Sequence, residues 1–441
     1  MDAKRWRLAP VAALAALALV TAGCGSSDEG STGTGAGADT SASTAATSTG
    51  TTQTAAAPAG DVTPEMEKLG ADYIGGKAGE KANGEPIKLG WINQQGGNPS
   101  QPEITQSADA TVDFINNDLG GIRGRPIELV KCYVVSSEED GQRCGQQLAN
   151  DADVNATQLG LLVAGSGSAY NALKGRKAIL GGVPLVPADF NAPTNFFFSA
   201  GLGTGRGAAL FAAKNLGAKK IAVVYNAGNP AAQGTAQVIG DALKQVGAEA
   251  KSVGAQGNNF QAALLSSGAK TADAVIVIAV PNTCVPLAQA IKQLGITAPV
   301  LSQDFCAYPM VKDALGDLPQ WYFSINGRNV HASGDPEVDT YNAVLNQYAK
   351  GAPNSAVWTM ANLMLYAKVM NELGPDATPE QIQKAMTDYT GPIWAGDPAP
   401  KCGQLAKYKL AAVCSNMGWV YKYDGDGKWT DPTDGKGVQV F

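Results

Sequence analysis

The chain has 441 residues, of which 44% are hydrophobic and 16% charged, and its formal net charge at pH 7 is −6. Such a mildly acidic composition is typical of a soluble protein, and no part of the chain resembles the basic surface that nucleic-acid binding requires. The length after residue 86 exceeds what one hydrophobic core comfortably supports, so two domains are expected.

The N-terminal residues indicate an export signal. Lys4, Arg5 and Arg7 precede a continuous apolar run over residues 8–20, which suits a secretory signal peptide and is too short for a membrane span. We therefore predict that residues 1–23 are a signal peptide, and no second apolar run in the sequence is long enough to cross a bilayer.

Cys24 follows this run directly, behind Ala22 and Gly23. These residues resemble a bacterial lipobox, in which the cysteine is diacylated and becomes the new N-terminus. The resemblance implies an extracytoplasmic protein held at the cell membrane by its N-terminal lipid alone. The alternative is an ordinary signal peptide cut nearby, which would leave a soluble secreted protein.

Residues 24–60 consist mainly of Gly, Ser, Thr and Ala, so they cannot offset the entropy of folding and are expected to form a disordered tether. The next segment, TPEMEKLGADYIGG, predicts a short helix, because Thr63 can cap it and Pro64 suits the first helical position. We assign residues 61–85 to a helical N-terminal appendage.

From residue 86 onward, short β-rich runs alternate with amphipathic segments, which is typical of βαβ units and a parallel sheet. The predicted strands of a first lobe are IKLGWIN, IELVKCYVV, LGLLVAG, VPLVPA and NFFFSA. A second series begins with the helix GRGAALFAAKNLG and continues through the strands KKIAVVYN, AEAKSV, ADAVIVIAV and APVLSQD. The sequence therefore predicts an α/β fold with two doubly wound parallel-sheet lobes.

The C-terminal third adds helices and then a hairpin. The segment SAVWTMANLMLYAKVMNELGP is apolar on nearly every side, which predicts a buried helix. TPEQIQKAM begins with a capping-box pattern, and GWVYKYDGDGKW predicts a β-hairpin with a turn rich in Asp and Gly.

Six cysteines remain once Cys24 is set aside, and an even number suits disulfides in an oxidising compartment. Many connectivities are possible, but the cysteines lie as three sequence-local couples. This arrangement favours the pairs Cys132–Cys144, Cys284–Cys306 and Cys402–Cys414. A metal site is the weaker interpretation, because the sequence has no CxxC spacing and only one histidine.

The order of these elements resembles that of type I solute-binding proteins of branched-chain amino acid ABC importers. The resemblance extends from PIKLGWINQQGG through GGIRGRPIELV, LLVAGSGSAYNAL and KKIAVVYN to the late helix WTMANLMLYAKVM, and it covers residues 86–441. It implies two α/β lobes joined by a hinge of three crossings, near Ala200, Ser324 and Ile393. Lobe 1 would contain residues 86–199 and 325–392, and lobe 2 residues 200–324 and 393–441.

The resemblance also implies a mechanism without covalent chemistry or a cofactor. A solute in the cleft between the lobes would favour a closed form, which the membrane permease of an ABC importer recognises. In open α/β sheets, ligands bind beyond the carboxyl ends of the strands. That rule selects as ligand-binding candidates Gln94, Gln95, Ser166, Gly167, Ser168, Ala188, Asp189 and Phe190 in lobe 1, and Asn229, Asn282, Asp304 and Phe305 in lobe 2.

The segment AGSGSAY has the clearest mechanism, since small residues at a helix N-terminus leave amides and hydroxyls free to hold a carboxylate. The resemblance implies that it binds the α-carboxylate of the ligand; the alternative is a tight strand-to-helix turn. Asp304 matches the position of an acid that holds the ligand ammonium, and the alternative is an N-cap or a solvated loop acid.

Two features leave the identity of the solute open. Asp189 stands where the family usually places a small hydroxyl residue, and its charge would repel a ligand carboxylate. The aromatic residues that commonly line lobe 2 are missing around Val280 and Pro281. The competitor to an aliphatic amino acid is therefore a small polar solute that is cationic or carries an amide.

Enzymatic functions find little support in the sequence. GLGTGRG lacks the last glycine of a dinucleotide-binding loop, GSGS is not the GxSxG of a hydrolase, and a Ser/His triad would depend on His331, which is expected at the surface or in the hinge. Glu138 and Glu139 are expected at the solvated start of a helix. We expect a non-enzymatic solute-binding protein; the alternatives are a ligand-sensing receptor of the same fold and a secreted hydrolase.

Overall fold

The structure is a computed structural model that describes residues 51–54, 60–97, 99–192, 194–201 and 203–441. The predicted signal peptide, the lipidation site Cys24 and most of the predicted tether lie outside these residues.

Strands and helices alternate along most of the chain. The first set of elements is β1 (Thr51–Thr54), α1 (Pro64–Ile74), β2 (Ile87–Gln94), α2 (Pro102–Asp118), β3 (Ile127–Val134), α3 (Glu138–Asn150), β4 (Val154–Leu159), α4 (Ser166–Leu173), β5 (Ala178–Gly181), α5 (Pro187–Asn191) and β6 (Asn195–Phe197). The second set is α6 (Gly203–Lys214), β7 (Lys220–Asn226), α7 (Pro230–Gln245), β8 (Glu249–Ala255), α8 (Phe260–Ser267), β9 (Ala274–Ile278), α9 (Pro281–Gln293), β10 (Val300–Gln303), α10 (Pro309–Leu315) and β11 (Tyr322–Ile325). The last set is α11 (Pro336–Tyr348), α12 (Val357–Leu373), α13 (Pro379–Asp388), β12 (Met417–Gly425), β13 (Lys428–Asp431) and β14 (Val438–Gln439).

The first sheet is entirely parallel, with the strand order β3-β2-β4-β5-β6. Helices α1, α2, α11 and α12 cover one face, where a core includes Trp91, Phe114, Tyr341, Tyr366 and Trp394, and α3 and α4 cover the other. The predicted buried helix is confirmed as α12, whose residues from Val357 to Ala367 are all buried. Lobe 1 is the body built on this sheet.

The second sheet has the order β1-β13-β12-β11-β10-β9-β7-β8, with β14 paired to β12. Strands β7 to β11 pair in parallel, whereas β12, β13 and β1 add antiparallel strands at one edge. Two apolar cores lie on its faces. The predicted α/β class and the C-terminal hairpin are confirmed, and lobe 2 is the body built on this sheet.

All three disulfides predicted from the local couples are present, namely Cys132–Cys144, Cys284–Cys306 and Cys402–Cys414.

Two predicted strands of lobe 1 are wrong. The strand assigned to LGLLVAG is VNATQL instead, six residues that lie between β2 and β5, and the apolar residues Leu161 to Val163 follow it in a loop. Of the polar residues in this strand, Asn155 accepts a hydrogen bond from the Tyr366 hydroxyl at 2.7 Å. The side chains of Thr157 and Gln158 are buried with polar atoms that have no partner among the described residues. The segment VPLVPA is a loop leading into α5, and its two prolines could not donate to a sheet.

The prediction of a disordered tether over residues 24–60 is wrong at its end. Residues Thr51–Thr54 form β1, which pairs antiparallel with β13 at the edge of the second sheet. The predicted N-terminal helix is confirmed as α1: the Thr63 side chain accepts from the Met66 amide, and Gly75 ends the helix with a φ of 71°. Because β1 joins lobe 2 and α1 packs on lobe 1, the N-terminal segment contacts both lobes.

The chain passes between the two sheets at three places. The first lies between Phe197 and Gly203, and the second follows Ile325. The third comes later than the expected Ile393. Val413 pairs in parallel with Phe197 of the first sheet, and the Cys414 amide donates a hydrogen bond to the Phe197 carbonyl at 2.8 Å. The chain therefore reaches the second sheet only at β12.

Candidate functional site

The loops at the carboxyl ends of the parallel strands carry most of the residues that the sequence selected. In lobe 1 these loops follow β2, β4 and β5, and in lobe 2 they follow β7, β9 and β10. This edge is where a doubly wound sheet binds ligands.

The N-termini of α3 and α4 lie side by side in lobe 1. Gly165 has a φ of +73°, a left-handed conformation that favours glycine, and a Cβ on Gly141 of α3 would overlap its carbonyl group. Both glycines are therefore required for the close approach of the two helices.

Glu138 of α3 occupies the N-terminus of α4. Its Oε1 accepts a hydrogen bond from the Gly165 amide at 3.0 Å, and its Oε2 accepts from the Ser168 amide at 3.1 Å and the Ser168 hydroxyl at 2.7 Å. The bond from the Ser168 hydroxyl lowers the pKa of Glu138, and the two amides add to the effect, although burial opposes it. Donors predicted to hold a ligand carboxylate thus hold a carboxylate of the protein itself. As expected from the sequence, Glu138 and Glu139 lie in the first turn of α3 and are exposed.

Asp189 is enclosed within lobe 1. Only 2% of it is exposed; Oδ1 accepts from the Tyr170 hydroxyl at 2.6 Å, and Oδ2 accepts from the amides of Leu185 and Val186 at 2.7 and 2.9 Å. Burial raises the pKa of Asp189, while these three hydrogen bonds act to lower it. The Asp189 side chain thus caps α5 and binds Tyr170, and its repulsion of a ligand carboxylate stays a prediction.

The other predicted residues of this edge of lobe 1 vary in exposure. Ser166 is buried, Gly167 is partly exposed, and a Cβ on Gly167 would lie 3.7 Å from the Cβ of Ala188. Phe190 is partly exposed, and its carbonyl accepts from the Ala412 amide at 2.9 Å.

Gln94 and Gln95 connect the strand ends of lobe 1. The Oε1 atom of Gln94 accepts from the Val163 amide at 2.8 Å, and that of Gln95 accepts from the Thr105 hydroxyl at 3.0 Å. Gln94 is 1% exposed. These contacts fix the loop after β4 and the start of α2, so the two side chains position the edge of the cleft.

In lobe 2, two predicted asparagines begin helices. The Asn229 Oδ1 accepts from the amides of Ala231 and Ala232, which makes Asn229 the N-cap of α7. Asn282 lies in the first turn of α9 and is exposed.

Asp304 and Phe305 form a polar and aromatic corner with Tyr308. Asp304 and Phe305 lie in a 3-10 turn directly after β10, and the ring centroids of Phe305 and Tyr308 are 5.8 Å apart with an edge-on orientation. Burial raises the pKa of Asp304 to about 7, against the lowering effect of the amides of Asp304 and Phe305. Among the described residues, Asp304 forms no ion pair.

Tyr308 brings this corner within reach of lobe 1. Burial raises the pKa of Tyr308 far above its ordinary value. The charges of Asp304 and of Glu103 in α2 raise this pKa further, and the nearby Ser355 side chain lowers it. Since Glu103 and Ser355 belong to lobe 1, the corner faces the other lobe across the cleft.

Sequence reasoning missed the roles of Glu103, Glu138, Tyr308 and Ser355. Glu138 comes four residues after the end of β3 and Tyr308 four residues after Asp304, so the strand-end rule could have selected both. Ser355 precedes a buried helix far along the chain, and no local pattern marks it.

The one histidine lies in the second crossing, between β11 and α11. His331 stacks on Trp429 with ring centroids 5.7 Å apart, and burial lowers its pKa to about 4. Within the described ranges, no group of three His, Cys, Asp or Glu residues could hold a metal ion, and no helix has both the length and the apolar character of a membrane span.

Comparisons with known proteins place this architecture. The sequence profile of the family described as periplasmic binding protein matches residues 86–415. A search of curated proteins finds no match.

Solved structures share the fold at low sequence identity. The leucine binding protein LivK from Thermotoga maritima MSB8 aligns with a TM-score of 0.61 and 15% identity, over 79% of this chain and 99% of the other. LivJ from Streptococcus pneumoniae in complex with isoleucine gives 0.57 and 16%, over 77% and 96% of the two chains. A solute binding protein from R. palustris in complex with 4-hydroxybenzoate gives 0.61 and 16%, over 80% and 96%.

Proposed function

The chain belongs to the periplasmic binding protein family, and from that premise we propose that it is the solute-capturing lipoprotein of an ABC importer, holding an amino acid or similar small polar solute between its lobes. The observation that carries the proposal is the family match over residues 86–415, which include every parallel strand of both sheets. Similar solved structures hold isoleucine or 4-hydroxybenzoate, and both of these ligands are small polar solutes.

The proposed mechanism is binding followed by closure. The solute would occupy the space between the strand ends of the two lobes, next to the corner of Asp304, Phe305 and Tyr308. A closed form in which both lobes contact the solute would then be the form that a membrane permease recognises. The chemistry needed is hydrogen bonding and charge pairing, so no residue acts as a nucleophile and no cofactor takes part.

The solute can be identified without prior choice of candidates. The protein would be purified from its native host, denatured, and the released small molecules identified by mass spectrometry. We expect one small polar compound in near-stoichiometric amount, which then binds the refolded protein and lowers its radius of gyration in X-ray scattering. A protein that releases nothing and keeps its dimensions with every metabolite tested would contradict the proposed function.

Lipid attachment at Cys24 has its own test. We expect the mature protein to fractionate with membranes and its N-terminal peptide to carry a diacylglyceryl group, and a Cys24→Ala variant to lose both properties. Release of the wild-type protein into the soluble fraction would support the ordinary signal peptide instead.

A further inference from the structure

The anion-binding position at the α4 N-terminus is already filled. Glu138 uses the amides of Gly165 and Ser168 and the hydroxyl of Ser168, all within 3.1 Å. A carboxylate brought by a solute would have to displace Glu138 or lie beside its charge, and like charges at hydrogen-bonding distance from the same donors repel each other.

The described loops at the edge of the cleft contain no lysine or arginine that could pair with such a carboxylate. Among the described residues of the loops that follow β2 to β10, none is Lys or Arg. Arg328, which follows β11, is paired with Asp335 at 2.8 Å and with Glu337. The acidic groups at this edge include Glu103, Glu138 and Asp304.

The corner in lobe 2 suits the opposite charge. Asp304 has no ion-pair partner among the described residues, and the aromatic rings of Phe305 and Tyr308 lie beside it. A carboxylate with neighbouring aromatic faces is the combination that holds ammonium groups, through charge pairing and cation–π contact.

Resting on the proposed function, we infer that the cleft selects a cationic solute without a carboxylate, a primary amine or a quaternary ammonium compound, and that Glu138 excludes amino acids by occupying their carboxylate position. Asp304 pairs with the cation, and Phe305 and Tyr308 provide its aromatic surroundings. Glu138 acts as a built-in substitute for the ligand carboxylate, so the lobe 1 loops keep the same hydrogen bonds without one.

The test uses pairs of compounds in which one member lacks the carboxylate of the other: 3-methylbutylamine with leucine, agmatine with arginine, and tetramethylammonium with glycine betaine. Each would be titrated calorimetrically into the wild type and into Glu138→Ala, Glu138→Gln, Asp304→Asn and, as a matched control, Glu139→Ala, which removes an exposed carboxylate from the same turn of α3. We expect at least one cation to bind the wild type tenfold or more tightly than its carboxylate-bearing partner.

The variants separate the two acidic residues. Both Glu138 variants should bind the carboxylate-bearing member more tightly, so that the ratio of the two affinities within the pair falls at least fivefold. Glu139→Ala should leave this ratio unchanged. Asp304→Asn should weaken binding of the cation at least tenfold. Thermal unfolding of each variant would confirm that it is folded.

The result distinguishes the inference from the function it rests on. Tighter binding of a carboxylate-bearing member to the wild type, or a carboxylic acid released from the native protein, would overturn the inference and leave the proposed function standing. Absence of any released molecule, together with no binding by all six compounds, would count against both.

Discussion

At the scale of single residues, the protonation of Asp304 links solute binding to pH. Burial raises the pKa of this carboxyl to about 7, so it is half protonated near neutral pH in the empty cleft. A cation binds the ionised form, and the affinity should therefore be constant well above pH 7 and fall by about tenfold per pH unit well below it. Calorimetry between pH 5 and 8 would check this slope, and Asp304→Asn should remove it.

The same raised pKa affects the stability of the empty protein, with the opposite dependence on pH. Because the folded protein binds a proton at Asp304 that the unfolded chain releases near pH 4, the contribution of this group to stability is full below that pH. The stabilising contribution of Asp304 is lost as the pH rises through about 7.

For the affinity, the contradicting result is a cation affinity that is independent of pH or that increases on acidification. Either would contradict the position of Asp304 in the binding site.

Asp189 tests the distinction between a ligand-binding acid and a structural one. Removing its carboxylate in Asp189→Ala would leave the buried Tyr170 hydroxyl and the amides of Leu185 and Val186 without their acceptor. We expect the free energy of unfolding to fall by about 2–3 kcal/mol, the cost of unsatisfied buried groups, with solute affinity unchanged within about twofold.

Urea unfolding followed by circular dichroism would measure the stability of Asp189→Ala. Asp189→Asn is the control, since it keeps one oxygen acceptor and should cost less. If Asp189→Ala lost solute affinity but kept its stability, Asp189 would be a ligand-binding residue and not a structural one.

These residues show what the strand-end rule can predict. It selected the loops at the carboxyl ends of the strands in each sheet, among them the loop of Asp304, whose side chain has no ion-pair partner among the described residues. It also selected Gln94 and Asn229, whose side-chain oxygens accept hydrogen bonds from backbone amides. The rule gives position along a strand and not the direction of a side chain, because that direction depends on partners distant in sequence.

At the scale of elements, β1 makes the end of the tether part of the fold. Its pairing with β13 extends the second sheet and covers the edge of the C-terminal hairpin. We expect the amides of residues 51–54 that bond to β13 to exchange hydrogen at least tenfold more slowly than in an unstructured peptide.

Two deletions would test the contribution of β1 to stability. Removing residues 25–49 keeps β1 and should leave the unfolding temperature unchanged, whereas removing residues 25–56 exposes β13 and should destabilise the protein by about 1 kcal/mol. Equal stability of the two deletion variants, with fast exchange at residues 51–54, would exclude a structural role for β1.

The position of β4 explains why local apolar patterns misled the prediction of strands. The run of Leu161 to Val163 is more apolar than the strand Val154–Leu159, yet it lies in the loop beyond it, with Val163 41% exposed. One polar residue of the strand, Asn155, has its partner on α12, more than 190 residues later in the chain, where the Tyr366 hydroxyl donates to it. Periodicity within one segment contains no information on such a partner.

At the scale of the whole molecule, alternation of strands and helices was sufficient to predict the α/β class, and the order of elements was sufficient for two lobes. The position predicted for the third crossing, near Ile393, is too early, because the residues that follow Ile393 still pack on lobe 1. Val413 extends its sheet beside Phe197, and Asp397 accepts from the Asn416 amide where the chain leaves. A segment without helical or strand periodicity gives no sign of the sheet it joins.

Closure of the lobes should depend on the contact between Tyr308 and Ser355. Tyr308 belongs to lobe 2, and its pKa responds to Ser355 of lobe 1, so the two side chains lie near each other and a hydrogen bond between their hydroxyls would form when the lobes approach further. A hydrogen bond of this kind contributes about 1 kcal/mol, which is about a fivefold change in the ratio of closed to open forms. Its loss reduces the population that is competent to bind, and the apparent affinity falls by the same factor.

We therefore expect Tyr308→Phe and Ser355→Ala each to weaken binding of the native solute about fivefold in calorimetry, while the radius of gyration of the solute-saturated protein in X-ray scattering stays unchanged. The double variant should be no weaker than either single variant, because both changes remove one shared bond. Independent effects, which would multiply to about 25-fold in the double variant, would mean that the two residues contact the solute separately. Closure would then have to be stabilised through the solute itself instead of by direct contact between the lobes.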